Sequence, residues 1–142
     1  MKQMEYGKNI KDVEVLYHGS IDNFECVIIN NGGTHPCAYI NVPKDILNKY
    51  DDPKLVDEAW SGDCHGGFTY SEPTCPGLTS ENEGFWLGWD YAHAGDYICM
   101  MVGGNIIRLP KEWEKTWKTC EILENVIDTI HSLKYDTDYY FR

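Results

Sequence analysis

The alternation of apolar and polar positions divides the chain into a long stretch of short strands and one closing helix. Val13-Glu14-Val15-Leu16-Tyr17 reads as a first strand, closed by Gly19, and the β-branched run Phe24–Ile29 as a second. Asn30-Asn31-Gly32-Gly33 is a turn signal. Cys37–Val42 follows as a third strand, stopped by Pro43. Lys44 to Trp60 is acidic and broken by Pro53, which predicts short helical turns over Ile46–Tyr50 and Leu55–Trp60. His65–Ser71 and Phe85–Tyr91 read as two further strands. Between them Glu72–Gly84, with two prolines and two glycines, reads as a loop. Pro110 can start a helical turn through Trp117. Thr119 is then placed to cap a longer helix, with Glu121 near its positive end. Ile122, Leu123, Val126, Ile127, Ile130 and Leu133 form one stripe at helical spacing, ending near Leu133. Strands followed by a helix that covers one sheet face give an α+β fold, a mostly antiparallel sheet packed against a C-terminal helix, in a single domain over 1–142.

Charge narrows the partners. The 142 residues hold 23 acids against 12 Lys plus Arg, for a net charge of −11 and a pI near 4.7. Binding along a nucleic-acid backbone needs a basic face, so that class is disfavoured. Docking on anionic lipid is disfavoured for the same reason. No run of about 18 apolar residues occurs, so no membrane span is expected. Met1-Lys2-Gln3-Met4-Glu5-Tyr6 has no apolar stretch, which leaves no secretory signal and makes the cytosol the expected location. The six cysteines contain no Cys-x-x-Cys pair and are expected as reduced, mostly buried thiols. No metal or cofactor is expected, since the spacing of His, Asp and Cys matches no ligand signature.

Two segments carry candidate chemistry. In Asp63-Cys64-His65-Gly66-Gly67-Phe68-Thr69-Tyr70-Ser71, strand alternation places His65, Thr69 and Ser71 on one face with Gly67 between them. Glycines there leave room for a ligand, and the alternative is a solvated edge with a bulge. Cys64, beside His65, would point to the opposite face and is discounted as a nucleophile. In Phe85–Asp96, alternation puts Phe85, Leu87, Trp89 and Tyr91 on an apolar face, and Trp86, Gly88 and Asp90 on the other. A tryptophan beside Gly and Asp offers a surface on which a base can stack. His93 and Asp96 follow, three residues apart around a glycine, and an Asp can fix the tautomer of a His for acid–base work. The competing structural reading has Asp90 and Asp96 capping turns and His93 packing on Trp86. His18, His35 and His131 stand alone and read as structural or exposed.

The order Val42-Pro43-Lys44, then His65-Gly66-Gly67-Phe68-Thr69-Tyr70-Ser71, then Phe85-Trp86-Leu87-Gly88-Trp89-Asp90-Tyr91-Ala92-His93-Ala94-Gly95-Asp96 resembles a small family of phage and prophage proteins. Those proteins carry an HGG-(L/I)-T-(Y/F)-S motif, a W-W-x-G-F-D-x-x-H-x-G-D motif and a C-terminal helix. The resemblance covers residues 37–96. This chain departs from it by Phe85 for the first Trp and Trp89 for the Phe, which keeps an aromatic at each place. Small accessory phage proteins often counter host defence, some by sequestering or cleaving nucleotide immune signals.

The leading expectation is therefore a pocket for a nucleotide-like signal, which the protein sequesters or cleaves as a phosphodiester. Trp86 would stack on a base. Gly66, Gly67, Thr69 and Ser71 would approach the phosphate or ribose. In the cleaving variant His93, oriented by Asp96 or Asp90, is the general base and His65 the general acid. Truncating His93 or Asp96 is expected to open no core cavity, because both follow the strand in a turn. Two other classes stay open: an acidic inhibitor that imitates nucleic acid, of the anti-CRISPR kind, and a structural or assembly protein of a phage. Self-association is compatible with all three.

Overall fold

The computed structural model describes residues 1–8, 11–49 and 64–140. The turn expected over Leu55–Trp60, the end of the one over Ile46–Tyr50, and Asp63 lie outside these residues.

The fold is α+β. Strands β1 (Val13–Ile21), β2 (Phe24–Asn31), β3 (His35–Asn41), β4 (Tyr70–Glu72) and β5 (Trp86–Asp90) form one sheet in the order β1-β2-β3-β5-β4, antiparallel throughout. Helix α1 (Lys44–Leu47) follows β3. A hairpin of β6 (Met101–Val102) and β7 (Asn105–Ile106) stands as its own two-stranded sheet, and helix α2 (Thr119–Tyr140) closes the chain. Asp22 and Asn23, at φ 49° and 69°, make the β1–β2 turn. Both are residue types that tolerate the left-handed region. The expected Asn30–Gly33 turn joins β2 to β3. Buried Asn30 organises it by accepting the Gly33 N–H at 2.8 Å and donating to the Glu5 carbonyl. β1 carries a bulge at Leu16, whose carbonyl accepts the Lys2 N–H and so ties the N-terminal segment to the edge strand.

The central strands are buried on both faces. Cys26, Ile28, Ala38, Ile40, Leu87 and Trp89 face α2, which presents Ile122, Val126, Ile130 and Leu133, each at most 1% exposed. Val27, Ile29, Tyr39 and Trp86 face the other way, under the 73–84 connection, where Cys75 and Leu78 cover them. The segment expected as a plain loop therefore closes a second core layer. A β-carbon on Gly77 would lie 2.9 Å from Val15, so only glycine lets this cover sit so close.

Three local expectations are corrected. His65–Ser71 is a strand only from Tyr70: Gly66 and Gly67 hold φ of 73° and 82°, and the segment before Thr69 is a turn. Residues 110–117 form no helix; Glu114 closes a single turn on the Lys111 carbonyl at 3.0 Å. Thr119 does not cap α2, because its hydroxyl donates to the Lys2 carbonyl and accepts the Met4 N–H. The cap is Glu121, which accepts the Lys118 N–H at 2.9 Å in the reach-back of a capping box. Its ion pair with Lys115 and this N–H hold its carboxyl below the usual range.

Candidate functional site

The structure brings His65, His93, Asp90 and Asp96 together at the C-terminal end of β5. The turn after the strand explains half of this. Asp96 donates its N–H to the His93 carbonyl at 2.9 Å, and Gly95, at φ 93°, supplies the positive dihedral that such a turn needs at its third residue. The Asp96 carboxylate turns back to accept the His93 N–H at 3.0 Å. Segment 115–117 then docks alongside. Lys115 donates its N–H to the Gly95 carbonyl at 2.7 Å, and Tyr97 donates to the Lys115 carbonyl at 2.9 Å. That docking delivers Trp117, whose Nε1–H donates to Asp96 Oδ1 at 2.8 Å.

The other half comes from the turn that replaces the expected strand. His65 donates its backbone N–H to Asn125 Oδ1 on α2. Its Nε2–H donates to Asp96 Oδ2 at 2.6 Å. Asp96 is 5% exposed and so is a buried carboxylate satisfied by three donors, from His65, His93 and Trp117. The contact fixes His65 as the Nε2–H tautomer and leaves Nδ1 as the ring's lone pair. The imidazole lies flat on Tyr91, with centroids 4.8 Å apart and an interplanar angle of 6°, and meets Trp117 edge-on at 4.9 Å. Tyr91 is itself fixed. It donates to Asn125 Oδ1 at 2.8 Å, accepts Trp89 Nε1–H at 3.0 Å, and burial pushes its phenol up.

His93 sits 5.6 Å from His65 between ring centroids. Its Nε2 lies 3.3 Å from Asp90 Oδ1, close enough for ion pairing but without hydrogen-bond geometry, and the atom is buried with no hydrogen-bond partner. The ring edge passes directly over Gly66: a β-carbon there would stand 2.2 Å from Nε2. Asp90 also accepts the Ala92 N–H at 3.1 Å and the Thr69 hydroxyl at 3.4 Å. Of the two carboxylates expected to orient His93, Asp90 is the one beside its ring. Asp96 holds the ring of His65 and only the backbone of His93.

The remaining expected residues divide. Gly66 and Thr69 reach the cluster, through His93 and Asp90 respectively. Gly67 shapes the turn. Ser71 pairs with Leu87, three residues along β5 from Asp90 and about 10 Å away along a strand. Trp86 is not a stacking wall: it is 0% exposed on the sheet face away from α2, and its Nε1–H donates to the Asn82 carbonyl at 2.7 Å. The tryptophan at the histidines is Trp117. The sequence pattern does not assign Asn125 to the site either, although a polar residue within the apolar stripe of α2 is a signal for it. Trp117 carried no comparable signal. Of the remaining histidines, His18 and His131 pair with Glu25 and Asp22.

Beside the cluster opens a cleft of about 540 Å³, lined by His93, Ile98, Met100, Arg108, Trp113 and Glu114 among others. Arg108 is held in its wall by Glu114 and by the Ile98 carbonyl. Among the described residues, no group of three or more His, Cys, Asp or Glu is placed to hold a metal ion. No helix there is long and apolar enough to cross a membrane. Chemically, the arrangement offers two imidazoles in ring contact, each with its own carboxylate, next to a cleft of ligand size. Comparison with known proteins finds no match: no family model matches the chain, and no curated protein or solved structure shows significant similarity to it.

Proposed function

We propose that the chain binds a nucleotide-like ligand at this cluster and cleaves its phosphodiester bond by acid–base catalysis. The observation that carries the reading is the contact of His65 and His93, 5.6 Å apart, with one carboxylate beside each ring. Hydrolysis needs one group to take a proton and another to give one, both within reach of the same phosphorus. His65 suits the first role, because buried Asp96 fixes its tautomer and stabilises the imidazolium as it forms. His65 takes a proton from the attacking water as the new P–O bond forms. His93 gives a proton to the oxygen of the leaving alcohol as the old P–O bond breaks. Relative to the sequence expectation the acid and base exchange places, because Asp96 orients the other ring. The phage resemblance suggests the setting, removal of a nucleotide signal used by a host defence.

The test is incubation with a panel of linear and cyclic dinucleotides, followed by mass spectrometry of the released ligand. Wild type should return products that have gained one water. His65→Ala and His93→Ala should each lose about 100-fold or more in rate. Ligand recovered intact from wild type throughout would sink the catalytic reading.

A further inference from the structure

The cleft beside the histidines has one wall that acid–base chemistry does not use. Trp113 is 66% exposed, an unusual state for the largest apolar side chain, and it lines the same cleft as His93. Met100, 51% exposed, lines it too, and so does Ile98. The Lys111 ammonium stands 5.5 Å from the Trp113 ring centroid and places a positive charge at this aromatic. The turn in which Glu114 accepts the Lys111 N–H, and in which Glu114 also grips Arg108, fixes the position of Trp113 between them. An exposed indole with a cation beside it, in a cleft whose wall includes His93 and Asp96, has the features of a nucleobase platform. The ring stacks on any base, the cation meets an adjoining phosphate, and the cleft volume fits a nucleotide.

We infer that Trp113 is the specificity-determining residue of the cleft, stacking on a nucleobase of the ligand while Lys111 meets its phosphate. This assigns to Trp113 the role that strand alternation predicts for Trp86. The inference rests on the proposed function for its ligand class, yet it concerns binding and is tested by binding. The probes are adenylyl-(3′→5′)-adenosine and the same sugar–phosphate backbone lacking both bases. Equilibrium dialysis would measure both against wild type, Trp113→Ala, Trp113→Phe and a His65→Ala/His93→Ala double variant, with circular dichroism to confirm the fold of each. Wild type should prefer the base-bearing probe. Trp113→Ala should weaken that probe about tenfold or more and leave the base-free one unchanged, and Trp113→Phe should restore most of the loss. The double variant should keep the preference for the base-bearing probe, which separates the two proposals. If it binds with that preference yet wild type cleaves nothing, the catalytic reading fails and the platform stands. If wild type binds both probes equally, or if Trp113→Ala leaves both unchanged or weakens both alike, the platform is overturned.

Discussion

Asp96 carries more of the site than its position in a surface turn foretells. Its carboxylate is 5% exposed and accepts from an imidazole, an indole and a backbone N–H that belong to three separate stretches of chain. Truncation would leave all three donors facing a low-dielectric hole. Asp96→Ala should therefore destabilise the fold by about 2–4 kcal/mol, the range for orphaning partners of a buried charged group. His93 differs. Its side chain is 35% exposed and its Nε2 has no hydrogen bond to lose. His93→Ala should cost about 1 kcal/mol or less. Urea denaturation of both variants checks the contrast, and equal losses would mean that Asp96 is no keystone. The burial of Asp96 argues against the expectation that its truncation spares the fold, because sequence spacing gives a turn but not the burial of its side chains.

At the scale of elements, the turns at Gly66 and Gly95 set the two histidines, and they do so for different reasons. Both glycines have positive φ, 73° and 93°, so alanine pays backbone strain of about 1 kcal/mol at either place. At Gly95 nothing lies within 4 Å of a new β-carbon, whereas at Gly66 the His93 ring does, at 2.2 Å. The ring can swing aside, so Gly66→Ala and Gly95→Ala should have similar melting temperatures. Only Gly66→Ala moves His93, and its rate of dinucleotide cleavage should fall about tenfold or more below that of Gly95→Ala. Equal rates for the two would show that the close approach is incidental. Legibility followed the same division. β5 and the stripe of α2 were readable because one repeats every second residue and the other every third or fourth over a long run. The His65 turn was not, since a Gly-Gly pair inside an alternating segment fits a strand with a bulge as well as a turn. The meeting of His65 with His93 was legible only in outline. The sequence placed both beside β5, but the contact depends on Asn125 and Trp117, which arrive from elements 60 and 52 residues away from His65. Trp86 failed as a stacking wall for a related reason. Alternation told which face it occupies, but not that the 73–84 connection would seal that face.

That second cover gives the whole molecule two apolar layers around one sheet, and each holds thiols. Cys26 lies in the layer under α2, and Cys37 and Cys75 lie in the layer under the 73–84 connection. Burial pushes all three up to about 12, and at Cys37 the Asp90 carboxylate adds to the effect. The folded chain keeps these protons where an unfolded chain, with thiols titrating near their ordinary value, gives them up. A raised folded-state value contributes stability that is fully present below the unfolded value and is lost as pH rises towards the folded one. Burial also pushes the phenols of Tyr39 and Tyr91 up, which acts in the same direction at slightly higher pH. The melting temperature, followed by circular dichroism under reducing conditions, should therefore hold below about pH 8.5 and fall continuously from there to about pH 11. Cys37→Ala should flatten part of that decline, because it removes one of the thiol protons that unfolding releases. A melting temperature that stays level across the alkaline range would mean that the thiols titrate alike in both states, so that the two layers do not shield them.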